Sequence, residues 1–264
     1  MKNFKSINMA WERNVVIKNQ EELEIMRAAG RINALALQAV REAIAPGVTT
    51  AALDKIAETV IRDHGAIPAF LGYPGPTPYP ATINSCINEE MVHAIPGKRV
   101  IKEGDLVSID CGTVYEGFVA DSAFSVGVGE VSPEAAKLLS VTEKALEIGI
   151  GKMRAGNRVG DVSAAIQKHV ESFGYHVPRE YTGHGVGRKM HEGPQVPNWG
   201  LPGRGMVLRP GMTIALEPMV LVGTPYTRVQ ADQWTVTSAD GTLTAHTEHS
   251  VAVTDGEPWI LTKV

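Results

Sequence analysis

A helix flanked by two glycines occurs twice in this chain, and the second copy lies 109 residues after the first. Gly47 and Gly65 are 18 positions apart, and so are Gly156 and Gly174. The apolar positions inside each pair also coincide, with Leu53, Ala57 and Ile61 corresponding to Val162, Ile166 and Val170. Any two amphipathic helices can be aligned after a fashion, but the matching glycines favour an internal repeat. We therefore expect two similar halves.

Each half is predicted to contain two helices followed by strands. N-capping residues mark the helix starts at Asn19, at Thr49 or Thr50 and at Ser132, and a fourth helix should run from about Asp161 to Phe173 and end at Gly174. Alternation typical of strands follows at 81–95, 105–115, 117–126, 212–222 and 245–254. This order predicts an α+β fold, with a curved antiparallel sheet and helices on its outer face.

The predicted halves are related by an internal pseudo-twofold repeat and together form one domain, residues 1–264. They span about 20–128 and 129–264, and residues 1–17 form a short N-terminal extension. Ligands tend to bind in clefts where two such units meet. We therefore expect the functional site on the open face of the sheet, where the halves meet.

The composition excludes several classes of partner. The 264 residues carry a net charge of −4, whereas a nucleic-acid-binding protein needs a basic surface. No stretch approaches the roughly 20 apolar residues of a membrane span, and the N-terminus has no signal-peptide pattern. The two cysteines, Cys86 and Cys111, suit a reducing compartment, and because they are not in a Cys-x-x-Cys arrangement they suggest neither a disulfide framework nor a thiolate zinc site. We expect a cytoplasmic protein that binds neither nucleic acid nor membrane.

Two aspartates are predicted to meet across a hairpin. Val114–Gly117 fits a type I turn with glycine last, and Asp110 and Asp121 are equally far from its centre. They should face each other, or lie one step diagonal if Gly117 forms a bulge. Because the flanking strands are apolar, the two carboxylates must share a proton or hold a cation. The alternative is an exposed hairpin face that tolerates both.

Two glutamates and a histidine also occupy positions that are unusual for polar residues. Glu217 and Glu248 lie in apolar stretches predicted as strands, although a single such glutamate usually faces solvent. His184 lies in the glycine-rich stretch Tyr181–Pro194, a poor helix and a poor strand whose alternative interpretation is a surface loop with solvated histidines. Four carboxylates and a neutral imidazole carry about −4 charges, which two divalent cations would neutralise. Such oxygen-rich ligation suits Mn, Fe or Co, with Zn possible, and paired ions are typical of hydrolases.

Five motifs occur in a fixed order along nearly the whole chain. They are NEEMVHAIPG (88–97), IDCGTVYEGFVADSAFS (109–125), GHGVGRKMHEGPQV (183–196), TIALEP (213–218), and Asp232-Gln233-Trp234 with Thr247-Glu248-His249. In order and spacing they resemble the motifs of type I methionine aminopeptidases. This resemblance implies the pita-bread fold and a hydrolase with two divalent metal ions. Its implied activity is removal of the N-terminal methionine from nascent proteins with a small second residue.

The resemblance also implies a role for each unusual polar residue. The implied metal ligands are Asp110, Asp121, His184, Glu217 and Glu248, with Asp121 and Glu248 bridging the two ions. His93 would lie near the scissile amide nitrogen and His191 near the carbonyl oxygen, and neither would be a primary ligand. Glu217 is in addition the implied proton shuttle.

A pocket for the methionine side chain is implied by the same resemblance. Its residues would be Phe70, Tyr73, Tyr79, Asn84, Met190 and Trp234, and aromatic rings make favourable contacts with a thioether. Phe70, Asn84 and Met190 depart from the residues usual in the family, and the stretch Leu71–Pro80 is longer than usual. These departures bear on fine substrate preference. The implied enzyme is a cytoplasmic monomer that meets nascent chains at the ribosome.

Other functions fit parts of this pattern. A proline-specific peptidase of the same fold would use similar ligands but carry an additional N-terminal domain, and Asp110 comes too early for one. A metal-free binding protein of this shape should have lost ligands, whereas all five are present together with both histidines. A metal-storage protein would need neither His93 nor an aromatic pocket.

Overall fold

The computed structural model describes residues 14–264, which form four helices and fourteen strands. The helices are α1 (Gln20–Ala43), α2 (Thr50–Asp63), α3 (Pro133–Lys152) and α4 (Val159–Glu171). The first strands are β1 (Ile67–Pro68), β2 (Ile83–Ile87), β3 (Glu90–Val92), β4 (Leu106–Tyr115), β5 (Phe118–Gly127), β6 (Thr182–Gly185) and β7 (Glu192–Pro197). The others are β8 (Thr213–Leu216), β9 (Met219–Leu221), β10 (Thr227–Val229), β11 (Val236–Ser238), β12 (Thr244–His246), β13 (Glu248–Ala252) and β14 (Trp259–Ile260). Most of the predicted extension 1–17 lies outside the described residues.

The helices begin and end close to where the sequence predicts. The Asn19 side chain accepts a hydrogen bond from the Glu22 amide at 2.9 Å, and the Glu22 carboxylate accepts one from the Asn19 amide at 3.0 Å. The fourth helix begins two residues earlier than expected, because Asp161 is not the N-cap. Its carboxylate instead accepts a hydrogen bond from the Arg158 amide at 2.7 Å, so Arg158 is the N-cap.

The repeated glycines adopt a backbone conformation that would be strained for any other residue. Gly47, Gly65, Gly156 and Gly174 have φ between +71° and +94°, and a Cβ on any of them would meet nothing within 4 Å. They are therefore required for the left-handed backbone and not for space. The boundaries of the two halves, and their union in one domain, stay a prediction.

Antiparallel pairing joins both halves into one nine-stranded sheet. Its main order is β1-β4-β5-β13-β8-β6-β7, with β2 on β4 and β14 on β13. The remaining strands form two small sheets, β10-β11-β3 and β12-β9. β13 therefore lies in the middle, between β5 of the first half and β8 of the second.

An apolar core lies under each helix pair. Leu53 of α2 and Ile109 of β4 belong to the first, and Ile166 of α4 and Ile214 of β8 to the second; all four are fully buried. Because side chains alternate along a strand, Asp110 points away from the core that contains Ile109. No helix within residues 14–264 has the length and apolar character that a membrane span requires.

The glycine-rich stretch is not the poor strand that its composition predicts. β6 and β7 both come from it and belong to the large sheet. A Cβ on Gly183 would lie 2.7 Å from the Ala215 carbonyl oxygen, and one on Gly185 would lie 2.0 Å from the Gly193 carbonyl oxygen. These glycines let neighbouring backbones approach, and this requirement outweighs their low strand propensity.

Three of the predicted strands are each divided in two, and the one at 81–95 forms β2 and β3 of different sheets. The predicted strand 212–222 is interrupted at Glu217–Pro218, since proline has no N–H to donate to a neighbouring strand. The predicted strand 245–254 is interrupted at Thr247. In the strands predicted at 212–222 and 245–254, the two parts pair in different sheets, and the break lies at or next to a predicted metal ligand.

We expect Gly30→Ala to destabilise the protein, although alanine favours helices. A Cβ at this position of α1 would lie 2.2 Å from the Leu261 carbonyl oxygen, so the helix must shift at a cost of about 1–3 kcal/mol. The control is Gly151→Ala in α3, where a Cβ meets nothing within 4 Å and stability should rise by up to about 1 kcal/mol. Urea denaturation measures both, and equal stability of the two variants would contradict this packing.

Candidate active site

The hairpin of β4 and β5, which carries the two aspartates, has a two-residue turn. Tyr115 pairs with Phe118, which leaves Glu116 and Gly117 as a two-residue turn with φ of +46° and +79°. Positive φ at both positions is typical of a type I′ turn, whose twist matches that of the strands. The predicted type I turn over Val114–Gly117 is therefore wrong.

This turn sets the register of the two aspartates. Asp110 lies opposite Ala123, and Asp121 lies opposite Gly112, so the carboxylates are diagonal neighbours on one face. The predicted directly opposed arrangement is therefore wrong, and the diagonal alternative holds, although a two-residue turn produces it and not a bulge at Gly117. Both aspartates are buried and close enough to share a proton. The exposed-face alternative is thereby excluded.

The five predicted ligands come from five consecutive strands of the large sheet, in the order β4, β5, β13, β8 and β6. In that order they are Asp110, Asp121, Glu248, Glu217 directly after its strand, and His184. The His184 Nε2 atom lies 3.5 Å from Glu217 Oε1 and 4.0 Å from Asp121 Oδ2. Ligand atoms of Asp121, His184 and Glu248 lie within 4.8 Å of one another. The structure thus brings all five side chains together.

Burial dominates the electrostatics of this cluster. It raises the pKa of Asp110 to about 7 and the pKa of Asp121 and Glu248 well above the usual carboxyl range, with neighbouring carboxylates adding to the last two shifts. It raises the pKa of Glu217 in the same way, and it lowers the pKa of His184 to about 3. Four carboxyl groups therefore compete for few protons at neutral pH, beside an imidazole that stays neutral.

Several oxygens of the cluster have no hydrogen-bond partner among residues 14–264. They are Asp110 Oδ1, Asp121 Oδ1 and Glu248 Oε1, all fully shielded from solvent. Buried oxygens of this kind are normally paired or coordinate a cation. The donor set of four carboxylates and one neutral imidazole therefore fits divalent metal ions, as the sequence predicts.

His191 and His93 lie beside this cluster. The His184 and His191 ring centroids are 4.3 Å apart, and the Tyr73 hydroxyl lies 2.5 Å from His191 Nδ1. His93 follows β3 with φ of +62°, an unusual conformation for a residue other than glycine and typical of functional sites. Partial desolvation in the site lowers the pKa of each of these two histidines to about 4, although His93 is only half-buried and His191 is exposed, so both are neutral at pH 7.

A cavity of about 240 Å³ adjoins the cluster. All predicted pocket residues line it, namely Phe70, Tyr73, Tyr79, Asn84, Met190 and Trp234. The Asn84 amide also donates a hydrogen bond to Asp110 Oδ2 at 2.7 Å. Val92, Tyr181 and Met219 line the cavity as well and were not predicted, because nothing in their local sequence sets them apart.

The stretch Leu71–Pro80 supports one wall of the cavity. The Trp234 indole donates a hydrogen bond to the Thr77 carbonyl at 3.1 Å, and a Cβ on Gly75 would lie 2.3 Å from the same ring. The rings of Tyr79 and Trp234 meet edge to face, with centroids 5.1 Å apart. Thr77 and Gly75 therefore hold the indole against the pocket.

The turn that carries His191 is tied to the N-terminal segment. Lys18 Nζ lies 2.5 Å from Glu192 Oε2, and both side chains are almost completely buried. Val15 forms a parallel bridge with Gly193. Since Glu192 and Gly193 directly follow His191, the segment before α1 holds one wall of the site. No local sequence pattern predicts this contact, which joins residues 174 positions apart.

Comparison with known proteins agrees with this geometry. The sequence matches metallopeptidase family M24 over residues 24–255. It is 50% identical to a methionine aminopeptidase of Clostridium acetobutylicum over 94% of this chain and 98% of that protein. It is 46% identical to methionine aminopeptidase 1 of Bacillus subtilis over 95% of this chain and 100% of that protein.

Solved structures give the same result. A methionine aminopeptidase from Thermotoga maritima matches with a TM-score of 0.92 and 44% identity, over 95% of this chain and 100% of the other. A prolidase from Pyrococcus horikoshii matches with a TM-score of 0.75 at 23% identity, and this chain covers 64% of it. The prolidase therefore shares the fold alone.

We expect Asp110→Asn to bind less metal, because the amide loses a charge and a strong acceptor. Metal content measured by mass spectrometry should fall, whereas the exposed control Asp63→Asn should bind as the wild type does. Two ions still bound to Asp110→Asn would contradict the metal site.

The same variant should stabilise the metal-free protein, and more so at pH 8 than at pH 5. Burial raises the folded-state pKa of Asp110 to about 7, above its unfolded value, so its contribution to stability is lost as the pH rises towards 7. Asparagine cannot ionise and avoids this loss. Thermal unfolding in a chelator at both pH values measures the gain, and a gain that is larger at pH 5 would contradict the assignment.

Proposed function

This chain belongs to metallopeptidase family M24 and is a metal-dependent methionine aminopeptidase, and we propose that it removes N-terminal methionine from peptides and nascent proteins whose second residue is small. The main support is the cavity, which places six mostly aromatic or thioether side chains next to the five clustered ligands. A methionine side chain fits such a wall because aromatic rings contact a thioether favourably.

Asp110, Asp121, His184, Glu217 and Glu248 would hold two divalent ions. Their oxygen-rich donor set suits Co, Mn or Fe, with Zn possible. When bound, such ions neutralise the carboxylates, polarise a carbonyl group and lower the pKa of water. Asp121 and Glu248 lie between the other ligands along the sheet, which supports a bridging role.

His191 is proposed to stabilise the negative charge that develops on the substrate carbonyl oxygen. Burial raises the pKa of Tyr73, so its hydroxyl keeps its proton, and we infer that it donates this proton to His191 Nδ1, which lies 2.5 Å away. The imidazole is neutral, so its own proton is then on Nε2. Tyr73 thereby sets the tautomer in which His191 offers an N–H donor to the substrate.

His93 and Glu217 are proposed to serve the leaving amide nitrogen. His93 is neutral and lies in the same cavity, so one ring nitrogen donates and the other accepts. Burial raises the pKa of Glu217 well above the usual carboxyl range, which favours holding a proton and passing it on. With ligands on one side of the scissile bond and His93 and His191 on the other, little room remains for a bulky second residue.

The substrate class also bears on the setting of the reaction. We propose that the protein acts in the cytoplasm, as a monomer, on nascent chains at the ribosome. Its net charge of −4 gives no support to direct nucleic-acid binding.

The proposed activity predicts a clear order among peptides. Chelator-treated protein supplied with Co²⁺ or Mn²⁺ should cleave Met-Ala-Ser much faster than Ala-Ala-Ser or Pro-Ala-Ser, because only methionine fills the pocket. Met-Leu-Ser should show a kcat/KM lower by about 10–100-fold, since a bulky second residue is excluded at the transition state. Chromatographic measurement of the released amino acid tests this, and preferential cleavage of Pro-Ala-Ser would contradict it.

His191→Ala should slow the chemical step without removing metal. Loss of one donor to a developing oxyanion typically costs about 10²–10³ in rate. Tyr73→Phe should cause a smaller loss, because the imidazole remains but its tautomer is no longer set. Initial rates and metal analysis on the same samples measure both effects, with the exposed His64→Ala as control. Loss of an ion from His191→Ala would contradict the assigned role.

A further inference from the structure

One buried histidine beside the cluster has no role among those described so far. His246, at the end of β12, is 2% exposed, and its Nε2 atom has no hydrogen-bond partner among residues 14–264. That atom lies 3.6 Å from Glu248 Oε2 and 3.8 Å from Glu217 Oε2. It is therefore directed at two of the predicted metal ligands.

The backbone of His246 is held firmly in this position. The Ser125 hydroxyl of β5 accepts a hydrogen bond from the His246 amide at 2.9 Å and donates one to its carbonyl at 2.8 Å. Ser108 of β4 lies 2.6 Å from the same hydroxyl. Two strands of the first half thus fix a residue of the second half next to the carboxylates.

Glu217 lies between two imidazoles, one for each of its oxygens. Oε1 lies 3.5 Å from His184 Nε2, on the side of the predicted ligands, and Oε2 faces His246. Glu248 is arranged similarly, with Oε2 facing His246 and Oε1 buried without a partner in the described chain. Each glutamate therefore has one oxygen, Oε2, directed at His246 and the other, Oε1, on its far side.

Glu217, His246 and Glu248 are also close enough to hold an ion of their own. Charge argues against this, because two divalent cations already neutralise the four carboxylates, and a third would leave a buried excess of about +2. A neutral imidazole that donates an N–H adds no charge and satisfies oxygens that face it.

We propose that His246 is a positioning residue, which donates its Nε2–H to Glu217 and Glu248 and fixes the orientation in which both bind metal. This role rests on the metal site of the proposed function. Hydrogen bonds that orient metal ligands typically contribute about 10–100-fold to metal affinity or activity.

The test compares His246→Leu, which fills the space without a donor, with His246→Gln, which keeps an N–H donor. Calorimetric titration of chelator-treated protein with Mn²⁺ gives the affinity and the number of ions. We expect His246→Leu to bind two ions with affinity lowered by about 10–100-fold and His246→Gln to recover most of it. For Met-Ala-Ser, kcat should fall in His246→Leu with little change in KM. The control is His169→Leu, a partly buried histidine on α4.

Unchanged Mn²⁺ affinity in His246→Leu, or an equal loss in His246→Gln, would overturn the proposal. Loss of one bound ion in both variants would identify His246 as a ligand instead. If His246→Leu does not fold, His246→Asn replaces it, because its shorter amide does not reach the carboxylates. The titration needs no substrate, so failure to cleave Met-Ala-Ser contradicts the proposed function and leaves this test in place. Wild-type protein that binds no Mn²⁺ would overturn both.

Discussion

Four carboxyl groups buried side by side are the constraint on which the rest of this structure depends. Asp110, Asp121, Glu248 and Glu217 come from neighbouring strands, and burial raises the pKa of each. Such a cluster opposes folding unless cations or protons compensate it. The two largest apolar cores lie on the other face of the sheet, under the helices. A third buried cluster joins the pocket residues Phe70, Tyr79 and Met190 to Leu23 and Met26 of α1. The pita-bread fold thus places most of its apolar core on the face opposite the carboxylates.

Much of this could be predicted from the sequence because the signals are local. Helix caps, glycines with positive φ and alternating strands each depend on a few adjacent residues, and the structure contains them nearly where expected. The carboxylates were recognisable for a different reason. A charged residue such as Glu217 in an apolar stretch is an anomaly that needs an explanation, and several such anomalies have one explanation in common.

The remaining features depend on partners distant in sequence. Gly183 and Gly185 suit a strand only because the carbonyl groups of Ala215 and Gly193 approach their Cα atoms too closely for a side chain. The type I′ turn at Glu116–Gly117 lacks the Asn-Gly or Asp-Gly pair that usually marks it, so the register was misjudged. His246 carried a usable signal, since it lies two residues before Glu248. Because the strand breaks at Thr247, the alternation of side chains could not predict which face His246 occupies.

The central place of β13 has a consequence for the order in which the protein matures. This strand is synthesised late, yet it alone joins β5 to β8 and supplies Glu248. Until it emerges, a growing chain presents two separate half-sheets, each with an unpaired edge of the kind that promotes aggregation. Pairing across such long sequence distances is slow. A single step therefore joins the two half-sheets, pairs both of these edges and completes the ligand set, so catalytic competence arises only after β13 has been synthesised.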